Sequence, residues 1–148
     1  MNRLSFGRWI MTFVLLANSV LSFLLDWSPN HLLNPLWHPH AKFHGALLLF
    51  VLAGVSATGL WLLWRKSAEP AVSIQASALL SLSFWTPLFY ITTLLPGSTS
   101  WAGRPEADPR LAGSLITPNL VVAALFVVLT LSAVWMSLRA RPILSSDT

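Results

Sequence analysis

The chain is predicted to be an all-α, polytopic membrane protein built as one four-helix transmembrane bundle. Three observations predict this. Only 9% of its 148 residues are charged and 55% are hydrophobic, whereas soluble domains carry about 25% charged residues. Four segments, 8–25, 44–64, 73–95 and 118–138, have the apolarity and length of spans, against the roughly 20 residues needed to cross the hydrocarbon core. Lys and Arg gather at the segment ends rather than along a face. The sequence pI of 10.8 therefore reads as membrane topology, and no nucleic-acid partner is expected because no basic stripe exists. With no cysteine, disulfides, thiolate metal ligands and a thiol nucleophile are excluded.

The first segment follows Arg3 and Arg8. That pattern also suits a signal peptide, but no small-x-small cleavage site follows it and Asp26-Trp27 closes it, so it reads as a retained helix. Asp26, Ser28, Pro29 and Asn30 are turn and cap residues. Pro35 and Pro39 are expected to keep the next stretch extended. Helix 2 is expected to begin near His40 or Ala41. It contains Gly45, Ala53, Gly54, Ala57, Thr58 and Gly59, small residues that permit close approach to another helix in lipid, with Ala53, Gly54 and Ala57 expected at the contact, and it ends on Trp61 and Trp64 at an interface. Ser67 to Pro70 read as a turn. Helix 3 is too polar to face lipid all round, and Pro87 interrupts its hydrogen-bond ladder. A Gly-, Pro- and Ser-rich loop carrying Trp101, Arg104, Glu106, Asp108 and Arg110 leads to Pro118, which opens an almost wholly aliphatic helix 4. Glu106 and Asp108 read as a solvated loop face, and Trp101, like Trp27 and Trp37, as a belt anchor.

Lys and Arg set the orientation. Arg3, Arg8, Arg65, Lys66, Arg139 and Arg141 fall on one side, and Lys42, Arg104 and Arg110 on the other. Both termini are expected in the cytoplasm of an inner or plasma membrane, with the two long loops outside.

All four histidines lie between positions 31 and 44. His40 and His44, four apart, share a helix face about one turn apart, and neutral imidazole is the commonest metal ligand. His44 reads either as an axial ligand to haem or a ligand to bare metal, or as a histidine bonded to a neighbouring helix. His40 reads as an interfacial cap or supporting group, and His31 and His38 as loop residues with solvated or structural roles. Asp26 reads as a turn cap or as a carboxylate that orients a histidine. At about 1.5 Å per helical residue, His44, Tyr90, Asn119 and Asn18 come to one outer layer, roughly 5–10 Å deep. With Trp85 and Phe89 beside them, that layer has the makings of a pocket for a small apolar substrate. Tyr90 reads as a hydroxyl for substrate oxygen or for a backbone carbonyl. No Gly-rich phosphate loop, nucleophile elbow or zinc-helix signature occurs.

The segment Ala41-Lys42-Phe43-His44-Gly45 and the stretch Trp85 to Tyr90 resemble the matching segments of styrene oxide isomerase, as do the size, the four helices and the two long outer loops. The resemblance implies a haem b enzyme that assembles as a homotrimer. It implies His44 as axial ligand and Tyr90 as the group positioning an epoxide, with aromatic walls at Trp85 and Phe89. The implied reaction is Lewis-acid opening of an aryl epoxide and a 1,2-hydride shift to a carbonyl compound. The chain departs from that family at Phe50, where the family has asparagine, and in the density of histidines in its outer loop. The string from Asp26-Trp27 through Asn34-Pro35 to His44 is also similar to an uncharacterised family of small membrane proteins. Two other functions stay open: a non-haem metal enzyme using His38, His40, His44 and Asp26, and a non-catalytic subunit of a larger membrane complex.

Overall fold

In the computed structural model, residues 2–99 and 116–140 are described. Trp101, Arg104, Glu106, Asp108, Arg110 and Arg141 lie outside the described residues. The described chain is helical: α1 (Arg3–Asp26), α2 (Pro39–Trp64), α3 (Pro70–Trp85), a 3-10 turn (Thr86–Phe89), a short α4 (Ile91–Leu94) and α5 (Pro118–Leu138). Four spans are long and apolar enough to cross a membrane: α1, α2, α3 with the 3-10 turn, and α5. The protein is a four-span helical membrane protein.

Local chemistry sets the helix ends. The Asn2 side chain accepts from Ser5 N and starts α1 five residues earlier than hydropathy alone suggests. Pro39 occupies the first turn of α2, where its missing N–H costs nothing, and His38 Nδ1 accepts from His40 N at 3.2 Å. Pro70 opens α3 and Pro118 opens α5, where the Thr117 side chain caps Leu120 N. The expected third helix does not run to residue 95. It stops at Trp85, because Pro87 supplies no N–H and tightens the chain into the 3-10 turn.

α1 packs against α2, α3 and α5, and α3 packs in turn against α2 and α5. The paired contacts give an up-down-up-down order. Leu15 meets Gly59, Ser81 meets Thr130, and Gly7 meets Ala133 across antiparallel neighbours. The core is formed by Met11, Val14, Leu15, Leu63, Ile74, Ala78, Trp85, Ala123, Phe126 and Ala133. Polar groups, buried at Ser77, Ser81 and Thr130 and exposed at Trp64, bind the helices to one another. Ser77 Oγ donates to the Gly59 carbonyl at 3.0 Å, Ser81 and Thr130 share a hydrogen bond at 3.2 Å, and Trp64 Nε1 donates to Thr12 Oγ1 at 3.0 Å. In lipid such bonds and close packing replace the hydrophobic drive for helix association. Large apolar side chains such as Phe13, Leu24, Phe50, Val128 and Leu138 face outward.

Of the small residues expected to pack on α2, the close approach falls at Gly59 and not on the Ala53–Gly54–Ala57 face. A Cβ on Gly54 would meet nothing within 4 Å, and Ala57 is exposed. Gly59 is the intimate residue: a Cβ there would lie 2.7 Å from Leu15 Cδ1. Helical phase decides this, since positions 54 and 59 fall on opposite sides of α2.

Candidate functional site

The loop after α1 is a chain of turns rather than an extended stretch. His31 N and Leu33 N both donate to the Ser28 carbonyl, Leu32 N donates back to Asp26 O at 2.9 Å, and Asn34 Oδ1 accepts from Leu36 N at 2.9 Å. The Asx turn and the Pro29 corner reverse the chain, overriding the extended bias of the prolines. The loop is anchored at Leu32, which is buried. Gly45 makes the anchor possible, since a Cβ there would lie 3.0 Å from Leu32 Cδ1 and 3.6 Å from Trp37 Cζ3.

This fold-back carries His31 over the end of α1. Its Nδ1 lies 3.3 Å from Asp26 Oδ1, and its ring packs edge-on to Trp37 at 4.7 Å between centroids. An ionised carboxylate only accepts, so the pair puts the proton on Nδ1 and frees Nε2. Both side chains are about one-third exposed, at 34% and 39%. His31 is therefore held in a fixed partnership, the structural rather than the solvated of its two expected roles. The Asp26 carboxylate orients a histidine, the other of its two expected roles.

Beside the pair opens a cavity of about 570 Å³, within the range of small-molecule sites. Its walls come from the end of α1 (Leu21, Ser22, Leu25), from Phe84 and Trp85, from Leu88 and Ile91 beyond the Pro87 break, and from Asn119 and Val122 of α5. Asp26 and His31 are the only ionisable groups among its described lining residues. Trp85 is fixed three ways. It is 6% exposed, it stacks on Phe126 at 4.6 Å and 7°, and its Nε1 donates to Asn18 Oδ1 at 2.5 Å.

Of the residues the sequence singles out, Trp85 and Asn119 line this cavity. Asn18 is fully buried one turn from the cavity residue Ser22 and acts through Trp85. Tyr90 and Phe89 are exposed and outside the lining. Their expected placement rested on depth along an unbroken helix, which the 3-10 turn interrupts. His40 and His44 form a separate pair on the exposed face of α2, with Nε2 atoms 3.0 Å apart and rings edge-on at 4.4 Å. No α2 residue lines the cavity. His44 is thus not brought level with Tyr90 and Asn18 in one pocket. His38 serves as the α2 cap, and Asp26 belongs to His31, so the expected His38–His40–His44–Asp26 group does not converge. Among the described residues no three His, Asp or Glu side chains are grouped to hold a metal ion. Phe50 sits in an aromatic cluster with Phe23 at 5.6 Å and Trp27 at 6.5 Å.

Sequence reasoning passed over His31 as a cavity residue. The signal was present: an acid and a histidine five apart flank Ser28-Pro29-Asn30, a turn that returns the second to the first.

The fold and cavity define a small membrane protein with four apolar spans and a mainly apolar pocket at the end that carries the histidines. The chain belongs to DUF6640, a family of unknown function, which matches residues 10–148. No curated protein and no solved structure matches it.

Proposed function

We propose that the protein is a membrane-embedded isomerase that converts a small apolar, aryl-bearing epoxide to a carbonyl compound in the cavity beside Asp26 and His31. The observation that carries the site is the pairing of the only two ionisable groups among its described lining residues, inside a mainly apolar pocket. The reaction class rests on the resemblance to styrene oxide isomerase. In its imidazolium form, with Nδ1–H held by Asp26, His31 donates the Nε2 proton to the epoxide oxygen. The ring C–O bond breaks at the carbon better able to carry positive charge, facing the Trp85 and Phe84 walls. A hydride moves from the neighbouring carbon with its electron pair, giving a protonated carbonyl that returns its proton to His31. No oxidant or reductant is consumed. The apolar lining keeps water from trapping the cation as a diol. Asn119, Ser22 and Thr92 supply polar contacts for the oxygen. The termini are cytoplasmic in this reading, on the Lys and Arg distribution.

A second reading, favoured by the His40–His44 pair, sets haem b on the outside of α2. The donors fit: two exposed imidazoles head the apolar stripe of Leu47, Leu48 and Val51, all exposed. His44 would hold the iron with His40 beside it, and the iron would supply Lewis acidity. The same face, open at Gly54, would pack against further copies in a homotrimer.

One experiment separates the two. Detergent-purified protein is incubated with an aryl epoxide, and carbonyl product is measured for His31→Ala and His44→Ala. The cavity reading expects turnover to vanish with His31→Ala and to persist with His44→Ala. The reverse pattern, with an absorption band near 400 nm lost in His44→Ala, supports the haem reading. No turnover by colourless wild-type protein overturns both and favours the non-catalytic subunit.

A further inference from the structure

At the opposite end of the bundle from the cavity, two guanidinium groups converge on one indole. Arg3 at the start of α1 and Arg139 at the end of α5 each place Cζ 5.8 Å from the ring centre of Trp135. Two like charges drawn to one ring repel each other, and an acid beside them would be the ordinary remedy. Among the described residues none pairs with them: the one acid–base pair there is Asp26–His31, at the other end. Below the two arginines, Val128, Leu131, Ser132 and Trp135 line a shallow groove of about 300 Å³ along the outer face of α5. These positions share one side of the helix, and Val128, Leu131 and Trp135 are exposed. The site therefore offers two cations at its head, an indole at the interface level and an apolar track running toward the bundle middle.

We propose that this is a binding site for one anionic glycerophospholipid, its phosphate held by Arg3 and Arg139 and an acyl chain laid along the α5 groove. The phosphate supplies the missing counter-charge, and guanidinium is the side chain best matched to it. The groove distinguishes a lipid from a free anion. Arg65 also lies over an indole, Trp61, at 5.5 Å, but with a single guanidinium on that ring. It serves as the control.

The test uses the full chain in neutral maltoside detergent. Thermal stability and native mass spectrometry are recorded with added phosphatidylglycerol, phosphatidylcholine or inorganic phosphate. Phosphatidylglycerol is expected to raise the melting temperature and to remain as one retained molecule, and the other two are not. Arg3→Gln/Arg139→Gln should weaken phosphatidylglycerol binding roughly tenfold or more. Arg65→Gln/Lys66→Gln, with the same loss of net charge, should leave it nearly unchanged. Leu131→Trp, which fills the groove and keeps both arginines, should weaken it as well. Equal stabilisation by phosphatidylcholine overturns the proposal, as does full stabilisation by inorganic phosphate. So does an equal loss in the two charge-removing double variants, which would make the effect one of net charge.

Discussion

The indole N–H of Trp85 donates to Asn18 Oδ1 across 67 positions of sequence, and both residues are buried. The bond joins α1 to α3 at the floor of the cavity and fixes the ring that forms one of its walls. Asn18→Leu orphans the indole N–H, and Trp85→Phe orphans the amide oxygen, at about 1–3 kcal/mol for each lost partner. The double variant should cost less than the sum of the two. The expected coupling is about 0.6–1.7 kcal/mol, read from reversible unfolding in mixed micelles. Strict additivity would show that the bond contributes nothing to stability.

Asp26→Asn should keep the hydrogen bond to His31 in part but lose the charge that stabilises its imidazolium. Turnover should fall with little change in melting temperature, and His31→Ala should lose roughly 10²–10⁴-fold, the usual worth of a positioned acid–base group. The measurement is carbonyl formation from the aryl epoxide beside a thermal melt. If both variants melt normally and turn over like wild type, the pair has no catalytic part.

Gly45 should prove to be a cavity residue at one remove. A valine there drives its branches into Leu32 and Trp37, and the loop that carries His31 must shift. Gly45→Val is expected to reduce cavity binding of an apolar fluorescent probe about as strongly as His31→Ala. Undiminished binding would mean that the loop repacks freely.

The glycines of α2 should separate into two kinds. Gly59→Val pushes against Leu15, which is fully buried, and should cost about 1–3 kcal/mol by overpacking. Gly54→Ala meets open space and should leave monomer stability unchanged. If Gly54→Leu alters the size of the detergent-purified particle, the outer face of α2 is an interface between copies.

His44→Ala removes one half of the exposed imidazole pair. In the haem reading it should abolish any absorption near 400 nm, and His40→Ala should only reduce it. Spectra of the purified wild type and both variants decide this, and an intact band in His44→Ala would move the ligand elsewhere.

The sequence by itself determined the class of this protein. A chain with so few charges cannot cover a water-facing surface, and four apolar runs of bilayer length have one economical arrangement, since lipid satisfies no backbone group outside a helix. It also marked the histidine end, the break at Pro87, and Trp85 and Asn119 as residues of interest. The tertiary structure decided which of these meet. Helical phase carried His44 to the outside of α2, although depth alone had set it level with Asn18. The 3-10 turn rotated Tyr90 and Phe89 away from the cavity wall that Trp85 holds. The turn at Ser28-Pro29-Asn30 brought His31 back to Asp26, a contact that hydropathy does not encode because it depends on loop hydrogen bonds and on the space left by Gly45. Depth along a helix follows from counting residues. The direction a side chain faces depends on every turn and break before it, so the site took its form only when the loop and the helices packed together.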